Sequence, residues 1–244
     1  MTLLDGKVVV VTAAAGSGIG GAIARRAQEE GATVVVSDRH ERRLKETAAE
    51  LGGALAVPCD VSVEADVQRL IDDAVAAHGR IDVMVNNAGL GGTAALVDMT
   101  DDQWASVLDV TLTGTMRCTR AAMRHMVPRS AGVIVNNSSV LGWRAQAGQA
   151  HYAAAKAGVM ALTRCAAIEA APAGVRVNAI APSLAMHENL EKVMDRETLD
   201  GLVQLEAFKR SATLDEVANV VMFLASDLSS YLTGEIISVS SQHP

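Results

Sequence analysis

Seven short runs of mostly β-branched or other aliphatic residues recur along the chain, and they constrain its fold more than any other feature. They are Val8–Val11, Thr33–Val36, Leu55–Val57, Ile81–Val85, Val133–Val135, Val175–Ile180 and Glu235–Val239. The runs are continuous rather than alternating, which is the pattern of parallel strands covered on both faces. Between them lie segments long enough to be crossover helices, with helical spacing at Ile19–Glu30, Arg42–Leu51, Glu64–His78, Trp104–Met126, Tyr152–Ala171 and Leu214–Ala225. Ser62 and Thr213 stand where N-caps are expected. Gly31, Gly79 and Gly174 each follow a helix and precede a strand, the place of a left-handed C-terminal residue. The expected architecture is a doubly wound α/β sheet, Rossmann-like, with helices on both faces.

A length of 244 residues, five prolines and no internal repeat point to a single domain spanning residues 1–244. Half the residues are apolar but only 2% are aromatic, so the core must be built from Ala, Val, Leu, Ile and Met. The net charge of -7 argues against a nucleic-acid partner. No apolar stretch of about 18 residues predicts a membrane span, and Asp5 and Lys7 precede only four valines, so no export signal is expected. Cys59, Cys118 and Cys165 lack disulfide or zinc spacing, which fits a reducing cytoplasm. The latter two lie on apolar helical stretches and are expected in the core. None of the six histidines shows ligand spacing, so no metal is expected.

The first strand runs into Thr12-Ala13-Ala14-Ala15-Gly16-Ser17-Gly18-Ile19-Gly20-Gly21, in which Gly16, Gly18 and Gly21 fit a dinucleotide fingerprint. Absent β-carbons let the backbone approach a pyrophosphate at a helix N-terminus. Gly16, Ser17, Gly18 and Ile19 are therefore candidate cofactor contacts. Asp38 ends the second strand, where a carboxylate can accept hydrogen bonds from an adenosine ribose. It disfavours the extra phosphate of NADP, whereas Arg39, Arg42 and Arg43 attract it; NAD(H) is the preferred cofactor and NADP(H) the alternative.

Tyr152 and Lys156 are spaced i, i+4 and share a helix face, and Ser139 follows the fifth strand. A phenol ionises near pH 10, so a neighbouring ammonium is what acid–base work near neutrality requires. Ser139 can donate to a substrate oxygen. The polar region from Ser183 to Arg210 follows the sixth strand, at the crevice end of a parallel sheet, and is expected to cover the substrate.

With these residues assembled, the sequence resembles the short-chain dehydrogenase/reductase family over nearly its whole length. The resemblance is carried by Thr12–Gly20, Asp60-Val61, Asn86-Asn87-Ala88-Gly89, Ser138-Ser139, Tyr152-Ala153-Ala154-Ala155-Lys156 and Asn178-Ala179-Ile180-Ala181-Pro182. It implies a seven-stranded parallel sheet and a homotetramer. It makes Tyr152 the acid/base, Ser139 the residue that orients the carbonyl or alcohol, and Lys156 the holder of the nicotinamide ribose. Asp60 and Val61 would contact adenine, Asn87, Ala88 and Gly89 would line the adenosine side, and Pro182 and Ser183 would complete the cofactor site.

Three departures stand out. Ala13 replaces the first glycine of a loop one residue longer than usual, Thr111 replaces the fourth catalytic residue, an asparagine, and Ser183 and His187 alter the lid. If the usual relay uses the backbone carbonyl, Thr111 serves. By similarity the nearest branch is 3-oxoacyl-thioester reduction, which makes a 3-oxoacyl or 3-hydroxyacyl group on acyl carrier protein or coenzyme A the first expected substrate. A polyol, a steroid or a steroid-derived hydroxyacyl thioester is the alternative, and a non-catalytic dinucleotide sensor the rival of another class. His151, adjacent to Tyr152, is read as a helix-start residue.

Overall fold

The computed structural model describes residues 2–186 and 196–241. Seven strands, β1 (Val8–Thr12), β2 (Thr33–Asp38), β3 (Leu55–Pro58), β4 (Val83–Asn86), β5 (Val133–Asn137), β6 (Arg176–Pro182) and β7 (Ile236–Val239), form one sheet in the order β3-β2-β1-β4-β5-β6-β7. Every pairing is parallel. β1, β4 and the last four residues of β5 are buried throughout, as expected of strands covered on both faces. The order reverses between β1 and β4, and a crevice opens there beyond the carboxyl ends.

The helices are α1 (Ile19–Glu29), α2 (Glu41–Glu50), α3 (Glu64–His78), α4 (Asp101–Leu108), α5 (Gly114–Met126), α6 (Ala150–Ala170), α7 (Arg196–Leu205) and α8 (Leu214–Ala225). Two apolar layers enclose the sheet. One packs Ile23, Ala24, Val217 and Val221 of α1 and α8 against Val9, Val11 and Val85; the other packs Val67, Leu70 and Ile71 of α3 with Ala121, Ala122 and Ala166 against Val10, Met84 and Ile134. The successive valines of β1 thus face opposite layers.

Local punctuation holds at several points. Thr213 caps α8, its hydroxyl accepting from the Glu216 N–H while the Glu216 carboxylate accepts from the Thr213 N–H. Gly31, Gly79 and Gly174 have φ of 87°, 77° and 70°. Three readings need correction. Val63, not Ser62, occupies the N-cap of α3, because the Ser62 hydroxyl and N–H both donate to Asp60. The single helix expected over Trp104–Met126 is α4, a one-turn π-helical insertion at Asp109–Thr113, and α5; α4 begins earlier because Thr100 and Gln103 form a reciprocal cap. Cys165 is exposed rather than in the core, whereas Cys59 and Cys118 are buried.

Within the polar 183–210 region, α7 supplies regular structure and Ala185 pairs with Ala212. His187 lies outside the described residues. Among the described residues, no helix is long and apolar enough to cross a membrane, and no group of three or more His, Cys, Asp or Glu is placed to hold a metal ion.

Candidate active site

The crevice has a volume of about 780 Å³ and is walled by the ends of β1, β2, β5 and β6, the loops after β3 and β4, the start of α6 and the end of α7. Its floor begins at the glycine loop. Ala13 adopts φ 50°, a left-handed conformation in which an L side chain is strained by about 1 kcal/mol, and which a glycine would adopt without strain. A β-carbon on Gly20 would collide with the Ala13 carbonyl oxygen and Asn87 Nδ2, and one on Gly21 with the Gly16 carbonyl oxygen. These two glycines therefore permit close packing of loop on helix, while a β-carbon on Gly18 would meet nothing and leaves the crevice open. Gly18 enters α1 in an extended conformation, and no acidic residue occupies the first turn, so the positive end of the helix is open to an anion.

The loop does not use its residues as its spacing suggests. The Gly16 N–H donates to Thr47 Oγ1 at 2.9 Å, so it is committed to α2, and neither Gly16 nor Ser17 lines the crevice; Ala13, Ala15, Gly18, Ile19 and Gly20 do. The extra residue of the loop is taken up in this outward turn.

Asp38, Arg39, His40 and Arg43 line one end of the crevice, and Asp60 and Val61 lie beside them. Asp38 Oδ1 accepts from the His40 N–H at 2.9 Å and Oδ2 from the Ala15 N–H at 3.3 Å, which fixes the carboxylate and leaves each oxygen a further lone pair. Arg42 pairs with Glu46 on the exposed face of α2, whereas Arg39 and Arg43 face the crevice. Asp60 accepts from the Ser62 hydroxyl at 2.6 Å and from its N–H at 2.9 Å, and these bonds hold its carboxyl below the usual range.

At the other end stand Ser139, Tyr152 and Lys156. Ser139 is two residues past β5, its Oγ accepting from the Leu141 N–H at 3.2 Å, and it lines the same end of the crevice as the Tyr152 phenol. One helical turn brings Lys156 Nζ to 5.4 Å from the Tyr152 ring centroid. Lys156 is only 3% exposed, and its Nζ donates to the Asn137 carbonyl at 2.6 Å. Burial pushes the phenol up to about 12, with the neighbouring Ser139 hydroxyl opposing the rise, and brings the lysine down to about 8. A protonated phenol and a serine hydroxyl thus converge where a carbonyl oxygen could receive a proton.

Asn87, Ala88 and Gly89 from the loop after β4, Pro182 at the end of β6 and Ser183 just after it also line the crevice. Thr12 anchors the first of these loops, its hydroxyl oxygen accepting from the N–H groups of Asn87 at 3.0 Å and Ala88 at 3.1 Å. Thr111 is fully buried and outside the lining. Its hydroxyl accepts from the Leu90 N–H at 2.9 Å and donates to the Leu90 carbonyl at 3.1 Å, so its side chain braces the crevice loop. Its own carbonyl accepts from the Thr115 hydroxyl at 2.8 Å.

His151 is buried, with Nδ1 accepting from the Tyr152 N–H at 2.9 Å, and lies outside the crevice lining. Sequence reasoning passed over Asn137, Arg144, Gln149 and Glu206, all of which line the crevice. For Asn137 a signal existed: the run Asn136-Asn137-Ser138-Ser139 is polar at the end of an apolar strand. Glu206 is buried and accepts from the Ser241 hydroxyl at 2.8 Å, a contact across 35 residues that no local pattern announces.

Over residues 13–241 the chain matches the family model described as enoyl-(acyl carrier protein) reductase. It is 64% identical, over 99% of its length and 95% of the relative's, to the (5R,7aS)-5-hydroxy-7a-methyl-1-oxo-2,3,5,6,7,7a-hexahydro-1H-indene-carboxyl-CoA reductase of Mycobacterium tuberculosis. It is 39% identical to the 3-oxoacyl-[acyl-carrier-protein] reductase FabG of Thermotoga maritima, over 97% of each chain. Among solved structures, a short chain dehydrogenase from Mycobacterium smegmatis superposes with a TM-score of 0.89 at 56% identity, covering 100% of this chain and 95% of that one. Levodione reductase superposes with a TM-score of 0.92 at 33% identity, covering 98% and 97%. The chain belongs to the short-chain dehydrogenase/reductase family, oxidoreductases that act on alcohol and ketone groups with a nicotinamide dinucleotide.

Proposed function

We propose that the chain interconverts a secondary alcohol and a ketone on an alicyclic ring carried by a coenzyme A thioester. The observation that carries the chemistry is the convergence of Ser139, Tyr152 and buried Lys156 on one end of the crevice. The ring-borne thioester is supported by the relative at 64% identity and by the apolar wall of Leu141, Leu184, Leu202 and Leu205 at the same crevice. The open-chain 3-oxoacyl thioester expected first is the second reading, favoured by the FabG relative at 39%.

The dinucleotide, when bound, exchanges hydride at its nicotinamide ring. The residues present fit it: an open Gly18 at an uncapped helix start, a fixed Asp38 carboxylate, and an unpartnered buried acceptor on Asn137. Ser139 then orients the substrate oxygen and Tyr152 delivers its phenolic proton to it during reduction. With its phenol pushed up to about 12, Tyr152 is a filled proton donor at neutral pH. Lys156, held by the Asn137 carbonyl, steadies the phenolate left behind and is placed to reach the nicotinamide ribose. Thr111 acts through the crevice loop it braces.

NAD(H) is the cofactor supported by Asp38, and NADP(H) the one supported by Arg39 and Arg43. Residues 1–244 act as one catalytic domain, with 183–210 covering the substrate through Leu202, Leu205 and Glu206. Exposed Ile168, Leu228 and Tyr231 support a homotetramer, and three free cysteines a reducing cytoplasm.

The test follows dihydronicotinamide absorbance with an oxo-hydrindane acyl-CoA and with acetoacetyl-CoA. Tyr152→Phe should lower turnover by at least about a hundredfold with dinucleotide affinity kept. Turnover preserved in that variant would refute the assignment of the proton donor, and a preference for acetoacetyl-CoA would transfer the substrate to the second reading.

A further inference from the structure

Asn137 ends β5 at the crevice wall, 9% exposed, between the lysine and the glycine loop. Its carbonyl and its two side-chain polar atoms differ in their partners. Its main-chain carbonyl accepts from Lys156 Nζ at 2.6 Å. Its Nδ2 donates to Asn87 Oδ1 at 2.9 Å. The orientation of both amides follows from the chain itself: Asn87 Nδ2 faces the carbonyls of Thr12 and Ala13, each at 3.2 Å, and only an N–H₂ can serve two carbonyl oxygens. Asn87 Oδ1 is therefore an acceptor, and Asn137 must present its N–H₂ to it. That leaves Asn137 Oδ1, which is buried and has no partner.

A buried acceptor without a donor is unfavourable, and native proteins satisfy such groups with protein, water or ligand. Asn137 lines the crevice, so a bound ligand is the candidate source of that donor. Its position along the sheet identifies which part of a dinucleotide that is. Asp38 and Arg39 follow β2, and Asn137 follows β5; two strands, β1 and β4, stand between them. Three interstrand spacings of about 4.8 Å put Asn137 about 14 Å from the adenosine end, beside Ser139 and Lys156.

We propose that Asn137 is a cofactor-positioning residue whose Oδ1 accepts a hydrogen bond from a donor on the nicotinamide half of the bound dinucleotide, either a ribose hydroxyl or the carboxamide N–H₂. The inference rests on the dinucleotide reading above and adds a residue to it. Asn137 thereby joins three parts of the site: its carbonyl holds Lys156, its amide N–H₂ supports the glycine loop through Asn87, and its side-chain oxygen holds the ligand.

The experiment measures dissociation constants, without substrate, of NADH or NADPH (whichever the wild type binds tighter), ADP-ribose and ADP for wild type, Asn137→Leu and, in case the leucine does not fold, Asn137→Ser. The expected result is about tenfold weaker binding of the dihydronicotinamide dinucleotide, with ADP changed less than twofold. ADP-ribose weakened to the same extent assigns the donor to the ribose; ADP-ribose unchanged assigns it to the carboxamide. Unchanged dinucleotide affinity would overturn the proposal, as would an equal loss for ADP, which marks loosening of the glycine loop alone. Wild-type protein that binds neither dinucleotide would overturn the dinucleotide reading itself, and this inference with it.

Discussion

Lys156 carries an ammonium where the fold gives it little water. It is 3% exposed, and burial brings it from 10.5 to about 8. In the unfolded chain it keeps the ordinary value. Between pH 8 and 10.5 the unfolded state therefore binds more protons than the folded one, so the lysine's contribution to stability rises with pH through that window. Below pH 8 the group is charged in both states, and the full cost of burying it, about 3 kcal/mol, is present. At pH 10 about 1 kcal/mol of that cost is left, so wild-type stability should gain about 2 kcal/mol from this group between pH 7 and 10.

The perturbation is Lys156→Met, which keeps the length of the side chain and removes the titration. The assay is urea unfolding of both proteins at pH 7, 8, 9 and 10, without cofactor and at one protein concentration. Other titrating groups cancel in the difference between the two proteins. That difference should move by about 2 kcal/mol in favour of wild type, equivalent to about 4 °C in melting temperature for a chain of this length. Parallel profiles across the range would show that Nζ is not depressed by burial and would refute the reasoning. A difference moving the other way would mean that the charged form is the stabilised one.

Two further predictions concern the walls of the crevice. Asp38→Ala should weaken NAD binding more than NADP binding, because the carboxylate, fixed by the His40 and Ala15 N–H groups, accepts from a ribose diol but repels a phosphate; calorimetric titration with both cofactors checks this, and an unchanged NAD affinity would contradict it. Thr111→Val removes both bonds to Leu90 and should cost about 2 kcal/mol, read as about a 4 °C lower melting temperature. A melting temperature within 1 °C of wild type would show that the hydroxyl does not brace the loop.

Much of the site was legible because its chemistry is local. Tyr152 and Lys156 share a helix face by spacing alone, and the acid at the end of β2 and Ser139 just after β5 sit at strand ends whichever way the sheet is wound. The strands themselves were readable because residues covered on both faces must be apolar in succession, and the C-terminal glycines because a positive φ favours a residue without a side chain. Thr213 announced the cap of α8 because a cap is a local device, and the structure adds its reciprocal partner Glu216 three residues on.

Other features required the tertiary structure, since their partners are far away in the chain. The π-helical insertion at Asp109–Thr113 is followed by Gly114, whose β-carbon would stand 2.6 Å from Val61 Cγ2, a neighbour contributed by the loop after β3. Gly16 fits the fingerprint by position, yet Thr47 of α2 captures its N–H and turns it out of the crevice. Cys165 lies on an apolar helix, but the face it occupies is exposed. Pattern and capping therefore determined which elements form and which residues end them. Only the packing of β4, β5 and the glycine loop decided that Asn87 and Asn137 orient each other and leave one buried oxygen without a partner in the chain, because hydrogen-bond satisfaction is settled by neighbours in space.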